Sequence, residues 1–144
     1  MKTTLILFTI SLLIQASFSF KTGLGWAYNA TASDFPLFAA AKPTWVYNWQ
    51  AYIPQGILPN LEYVAMQRTA IDIQNLDKYM NNNNASVLLC FNEPDIASQA
   101  NISAPGAAAL WNTYGNNLTR RVRTGSPAIS NSFTGIPWLQ AFLP

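Results

Sequence analysis

Histidine is absent from the 144 residues, there is one cysteine, and only 10% of positions are charged. Without histidine there is no imidazole base and no His-ligated metal site. One cysteine forms neither an internal disulfide nor a thiolate metal cluster, which excludes a disulfide-stapled scaffold and a zinc module. Eight Lys and Arg against six Asp and Glu give a net charge of only +2, so a nucleic-acid partner, which would need Lys and Arg concentrated on one face or element, is not expected. No metal and no cofactor are implied. Half of the residues are hydrophobic and 13% are aromatic, so an ordinary apolar core must hold the chain together.

The first segment stands apart from that core. Met1-Lys2-Thr3-Thr4 is a short basic start, Leu5 to Ile14 is almost uninterrupted apolar sequence, and Ser17-Phe18-Ser19 sets small residues where a signal peptidase reads. Residues 1–19 are therefore expected to be a cleaved signal peptide and 20–144 the mature chain, secreted to the extracellular space or cell wall. A membrane anchor is the alternative, but the run is shorter than the roughly 20 residues that span a bilayer, and Gln15 closes it. After cleavage no membrane association is expected. Sequons at Asn29, Asn84, Asn101 and Asn117 offer glycan sites if the host glycosylates.

Strand-like and helix-like stretches alternate along the remainder. Strands are expected at Thr22 to Tyr28, Thr44 to Trp49, Glu62 to Gln67 and Ser86 to Phe91, with a weaker fifth near Val122 to Ile129. Between them Ser33 is expected to cap a short helix. Ile71, Ile73, Leu76, Tyr79 and Met80 recur at near-helical spacing, and Ser103 with Pro105 opens a helix to about Leu118. Pro137 to Leu143 starts a further helix. Such alternation predicts a parallel sheet with helical crossovers. The expected fold class is α/β, a partial (β/α)8 barrel of about five βα units. A complete barrel needs about 250 residues, so the chain is expected to be truncated.

Chemistry concentrates where the fourth strand ends. Asn92-Glu93-Pro94-Asp95 follows the most apolar strand and carries two of the six acidic residues. In parallel α/β folds the site lies at the carboxyl ends of the strands, which suits Glu93 as a general acid whose pKa partial burial would raise. A plain turn could use Asp95 as a backbone cap, but does not need a glutamate before proline. Trp26 and Tyr28 end the first strand, and Trp45, Tyr47 and Trp49 alternate along the second with Asn48 between them. Sugar rings stack their C–H faces on aromatic rings while amides bond their hydroxyls, so these residues suit a neutral polysaccharide. Core packing is the competing explanation for the aromatics, and it is the expected one for Trp111 and Trp138.

The blocks Gly23-Leu24-Gly25-Trp26, Trp45-Val46-Tyr47-Asn48-Trp49, Glu62-Tyr63-Val64-Ala65-Met66, Leu89 to Asp95, Gly125-Ser126-Pro127-Ala128 and Trp138 to Leu143 occur in the order seen in glycoside hydrolase family 128. The chain resembles the N-terminal half of these alkali-sensitive-linkage-protein-like glycosyl hydrolases. The resemblance implies a (β/α)8 barrel that cleaves fungal cell-wall β-1,3-glucan with retention, in the manner of an endo-β-1,3-glucanase. It implies Glu93 as acid/base and Asn92 as a sugar-hydroxyl ligand, while the aromatic pattern itself makes Trp26, Tyr28, Tyr47, Asn48 and Trp49 the expected substrate-binding residues. The family's nucleophile is a glutamate ending the seventh strand, so full activity is expected to need a C-terminal half beyond this chain. The alternative is a non-catalytic β-glucan-binding cell-wall protein. Met66-Gln67-Arg68 departs from the apolar and aromatic residues usual after the third strand.

Overall fold

The computed structural model describes residues 21–26, 31–53 and 60–143. The signal-peptide segment, Tyr28 and the Asn29 sequon lie outside these residues. Five parallel strands, β1 (Gly23–Gly25), β2 (Trp45–Tyr47), β3 (Glu62–Met66), β4 (Val87–Leu89) and β5 (Arg123–Thr124), stand side by side in chain order. A doubly wound open sheet reverses direction at a switch point, whereas here every crossover steps to the next neighbour in one direction, as in a barrel wall. This is a partial α/β barrel, as the alternation of the sequence predicts.

Pairing register sorts the side chains into two faces, because successive residues of a strand point to opposite sides. Leu24 is opposite Val46, Val46 opposite Tyr63, and Ala65 opposite Leu88. Val46, Tyr63, Ala65, Leu88 and Cys90 join the core together with Phe35, Ile73, Leu76, Met80, Ala107 and Leu118 from the helical segments. The other face carries Trp45, Tyr47, Val64, Val87 and Leu89, all partly exposed. Gly23 is required on this face: the Trp45 indole lies over it, and a Cβ there would come within 1.9 Å of the ring.

The helical layer follows the sequence with two adjustments. A 3-10 helix spans Ala32–Ala41, and its cap is Thr31 rather than Ser33. Asp34 closes that end by accepting from the Thr31 amide at 2.7 Å, which leaves Ser33 to bond the Thr31 hydroxyl at 2.6 Å. α1 (Leu76–Asn83) follows a 3-10 turn, Ile73–Asn75, and ends in the left-handed Asn84. α2 (Ala104–Leu110) is capped by Ser103, whose hydroxyl accepts from the Gly106 amide at 3.3 Å, with Pro105 in the first turn where its missing N–H costs nothing. A π-helical turn, Trp111–Gly115, and a 3-10 turn, Asn116–Leu118, continue it. α3 (Gly135–Phe142) ends the described chain. The strands are shorter than expected, because backbone pairing stops where each chain turns out at the carboxyl edge. Past that point one bridge, Asn92 with Ala128, prolongs the line of β4 and β5.

Candidate active site

The carboxyl edge of the sheet is stitched together by backbone hydrogen bonds beyond the regular ladder. The Met66 amide donates to the Gln50 carbonyl at 2.8 Å and the Gln67 amide to Leu89 at 3.0 Å. The Asn92 amide donates to Arg68 at 3.0 Å, the Glu93 amide to Ala128 at 2.7 Å, and the Ala128 amide to Phe91 at 2.9 Å. The exits of β2, β3, β4 and β5 are thereby held at one level, and Glu93 stands in the middle of them. Its backbone is left-handed, with φ at 43°, directly before the buried Pro94. A residue before proline normally takes extended geometry, so this conformation is strained and persists because the flanking bonds impose it.

Glu93 lines a cleft of about 460 Å³ with Asn48, Trp49, Gln50, Arg68, Asn92 and Gln99. Trp49 is also left-handed, with φ at 59°. Two strained non-glycine residues thus face one cavity from the exits of β2 and β4, on either side of β3, as is common at functional sites. The Arg68 guanidinium donates to the Gln99 side-chain carbonyl at 3.1 Å and spans the cleft wall between the β3 and β4 exits. Asn48 is held from behind. Its Oδ1 accepts from the buried Tyr63 hydroxyl at 2.5 Å, and that hydroxyl also lies 2.7 Å from the carbonyls of Gln50 and Tyr52. Tyr63 therefore fixes the whole turn that carries Trp49. Burial, with Tyr52 nearby, pushes the Tyr63 phenol well above its ordinary value, so it stays a neutral donor.

The expected site residues divide. Glu93, Asn92, Asn48 and Trp49 come together in the cleft. Tyr47 stands behind them on the inner sheet face, its ring 4.6 Å from that of Trp49 and 6.4 Å from that of Trp45, which makes an aromatic row along β2. Trp26 does not join: it is buried, and its ring packs 4.5 Å from Phe35. It ends β1 on the helix-facing side, where the 3-10 helix covers it. Tyr28 lies outside the described residues. Trp138 packs inward, donating to the Ile102 carbonyl at 2.7 Å and stacking on Phe142, and Trp111 meets Phe91 edge-on. Asp95 acts as a cap, accepting from the Ser130 amide at 3.0 Å. Gln50, Arg68 and Gln99 are cleft residues that the sequence reading did not single out as ligands. Only Gln50 had a local signal, its place beside Trp49.

A second cavity of about 380 Å³ adjoins the first and shares Trp49, Gln50 and Arg68 with it. The carboxylates of the chain are otherwise committed elsewhere. Glu62 lies at the opposite edge, where it accepts from Ser86 at 2.5 Å and faces Arg123 at 3.8 Å. Asp77 pairs with Arg121, Asp72 accepts from Tyr79 and Asn75, and Asp34 closes the 3-10 helix. The cleft is lined by one carboxylate, that of Glu93.

Comparison with known proteins agrees with this architecture. A family model described as glycosyl hydrolase catalytic core matches residues 23–144. The chain is similar to a GH128 (subgroup III) curdlan-specific exo-β-1,3-glucanase from Blastomyces gilchristii, solved with glucose, at 36% identity and a TM-score of 0.70, over 84% of this chain and 53% of that one. It is similar to a GH128 (subgroup II) endo-β-1,3-glucanase from Sorangium cellulosum at 26% identity and a TM-score of 0.67, over 85% and 54% of the two chains. A third likeness is to a glutamine variant of a GH128 (subgroup I) endo-β-1,3-glucanase from Amycolatopsis mediterranei, solved with laminarihexaose. There the identity is 32% and the TM-score 0.63, over 85% and 49%. The chain spans about half the length of these solved relatives. No curated protein matches it.

Proposed function

Because the chain belongs to the glycosyl hydrolase catalytic core family, on its GH128 branch, we propose that it binds β-1,3-glucan and presents Glu93 as the acid/base of an endo-acting β-1,3-glucanase. The observation that carries this reading is the strained Glu93 at the β4 exit, inside a cleft whose other walls are four side-chain amides, an indole and the Arg68 guanidinium. Uncharged hydroxyls match Asn48, Gln50, Asn92 and Gln99, and a sugar's C–H face matches Trp49. The solved relatives in complex with glucose and laminarihexaose support a glucan ligand, and an open cleft suits an internal stretch of chain. The basic start and apolar run of residues 1–14 support secretion, which would bring the protein to cell-wall glucan.

In the proposed reaction the Glu93 carboxyl protonates the leaving glycosidic oxygen and then, as carboxylate, takes a proton from the attacking water. Asn92 holds a hydroxyl near the reacting carbon. Retention needs a second carboxylate about 5 to 5.5 Å across the bond, and none besides Glu93 lines the cleft. Hydrolysis therefore draws its nucleophile from beyond residues 1–144. The same observation favours a second reading, a glucan-binding protein without catalysis. Fusing the chain to the C-terminal half of the Blastomyces relative separates the two. Reducing ends released from curdlan, and lost by a factor of about 10²–10⁴ in Glu93→Gln, would support the acid/base role. A fusion that folds and binds glucan but releases none would leave the binding protein.

A further inference from the structure

We propose that the second cavity is a side pocket for a glucosyl branch on the glucan chain, so that the preferred ligand is a branched rather than a linear β-1,3-glucan. This rests on the reading of the main cleft as a glucan site. The two cavities share the Trp49, Gln50 and Arg68 wall and then diverge. One runs over the β4 exit to Asn92 and Glu93. The other runs past Ala51 to Gln67, Ile71, Asp72 and Tyr79. Gln67 continues the row Tyr63, Ala65, which faces the helical layer, so the floor of this pocket lies outward of the sheet. A chain lying across the strand exits against Glu93 can reach it only with a group that leaves the main chain near Trp49. About 380 Å³ lies at the lower end of the size range of small-ligand pockets, which suits a sugar unit rather than a further run of polymer.

The lining has the chemistry of an uncharged polyol site. Arg68 and Asp72 bring one charge of each sign. The Asp72 carboxylate is already committed to the Tyr79 hydroxyl and to the amide nitrogens of Asn75, at 2.6 Å, and Gln74, at 3.3 Å. The Tyr79 hydroxyl first, and then the Asn75 amide, hold its pKa below the ordinary value, so it is neither a free acid nor an open cation site. Tyr52 and Tyr79 sit 5.6 Å apart and tilted, and with Trp49 they supply apolar ring faces. Gln67 is 4% exposed; its nitrogen donates to the Thr69 and Ile71 carbonyls at 2.8 and 3.0 Å, while its Oε1 has no hydrogen-bond partner. A buried acceptor without a donor is uncommon; Gln67 lines the pocket, and a shift of its covered amide would turn Oε1 toward a ligand hydroxyl.

The test is calorimetric titration of the full chain with two probes, laminarihexaose and laminarihexaose bearing one 6-O-glucosyl branch. Ile71 lines the pocket and is 80% exposed, so Ile71→Trp sets an indole at the pocket mouth to obstruct it without disturbing the core. The expected result is about tenfold tighter binding of the branched probe, with the ratio falling to about one in Ile71→Trp. Equal affinities in the native chain, or a preference that survives Ile71→Trp, would overturn the side pocket while leaving the cleft reading intact. Binding of neither probe would overturn both.

Discussion

The carboxylate of Asp95 accepts a hydrogen bond from the backbone amide of Ser130 at 3.0 Å, across 35 residues of sequence. The hydroxyls of Ser130, Thr134 and Ser132 converge on its other oxygen at 2.5, 2.9 and 3.3 Å. Asp95 lies two residues after Glu93, and the Glu93 amide donates to Ala128 just before this serine-rich loop. The turn that bears the proposed acid and the loop that enters α3 are therefore one tied unit.

Partial burial pushes the Asp95 pKa up, but the Ser130 hydroxyl and amide and the Thr134 hydroxyl outweigh it and hold the group at about 2. A carboxylate depressed below its unfolded value of about 3.9 stabilises the fold above that pH and loses the contribution as pH falls toward 2. Asp95→Asn should cost on the order of 1.5–3 kcal/mol at neutral pH, toward the low end because the site is only partly buried. Thermal melts should show the same deficit at pH 7 and pH 5, narrowing below about pH 4. A deficit independent of pH down to 2.5 would mean that the charge contributes nothing.

The buried Tyr63 hydroxyl, in reach of Asn48, Gln50 and Tyr52, makes a second prediction. Tyr63→Phe removes the one hydroxyl proton within reach of the Asn48 oxygen and of the Gln50 and Tyr52 carbonyls, of which Gln50 keeps the Met66 amide as a donor, at a cost of about 1–3 kcal/mol. Because these acceptors flank Trp49, the variant should also bind laminarihexaose more weakly. A melt that drops while affinity stays constant would show that the Trp49 turn holds its shape without Tyr63.

Strand and helix positions were legible in the sequence because both follow from local rules. β4 is an unbroken apolar run, Ser103 with Pro105 marks a helix start, and the Asn81 to Asn84 run marks a helix end. The place of Glu93 at the β4 exit was legible because it directly follows an apolar strand and precedes a proline. Trp26 was not, since its identity cannot say which way the chain turns after β1; only the 3-10 helix packed beside it, through Phe35, places it in the core. Arg68 and Gln99 were missed for the same reason. They meet across 31 residues of sequence, and nothing in either neighbourhood marks the pairing.

Trp49 and Trp138 provide an internal contrast for the aromatic face. Trp49 lines both cavities, while Trp138 donates to Ile102 and stacks on Phe142 at 5.3 Å, away from them. Trp49→Ala should weaken laminarihexaose binding about tenfold, equivalent to roughly 1.4 kcal/mol. Trp138→Ala should lower the melting temperature and leave affinity nearly unchanged. Affinity should vary little between 0.05 and 0.5 M salt, since an uncharged ligand offers no ion pair to screen. Equal losses in both variants would detach the cleft from the aromatic row of β2.

Residues 1–144 on their own should bind glucan without cutting it. Of the six acidic residues, Glu93 alone lines the cleft. Asp95, the nearest in sequence, spends both oxygens on Ser130, Ser132 and Thr134, and its depressed pKa reflects that commitment. Drawing it toward the sugar would release the β4 exit from the α3 loop and with it the strained turn that aims Glu93. Asp72 is held by Tyr79 and Asn75 in the adjoining cavity, and Glu62 begins β3 and so lies at the far edge of the sheet. A retaining step needs two carboxyl groups about 5 to 5.5 Å apart, and an inverting step needs them about 6.5 to 9.5 Å apart with water between them. Neither pair can be assembled from this set. Incubation with laminarihexaose should therefore give saturable binding and no new reducing ends. Release of reducing ends by the purified 144-residue chain, lost in both Glu93→Gln and Asp95→Asn, would show that Asp95 leaves its serine-rich cradle and serves as the second carboxylate.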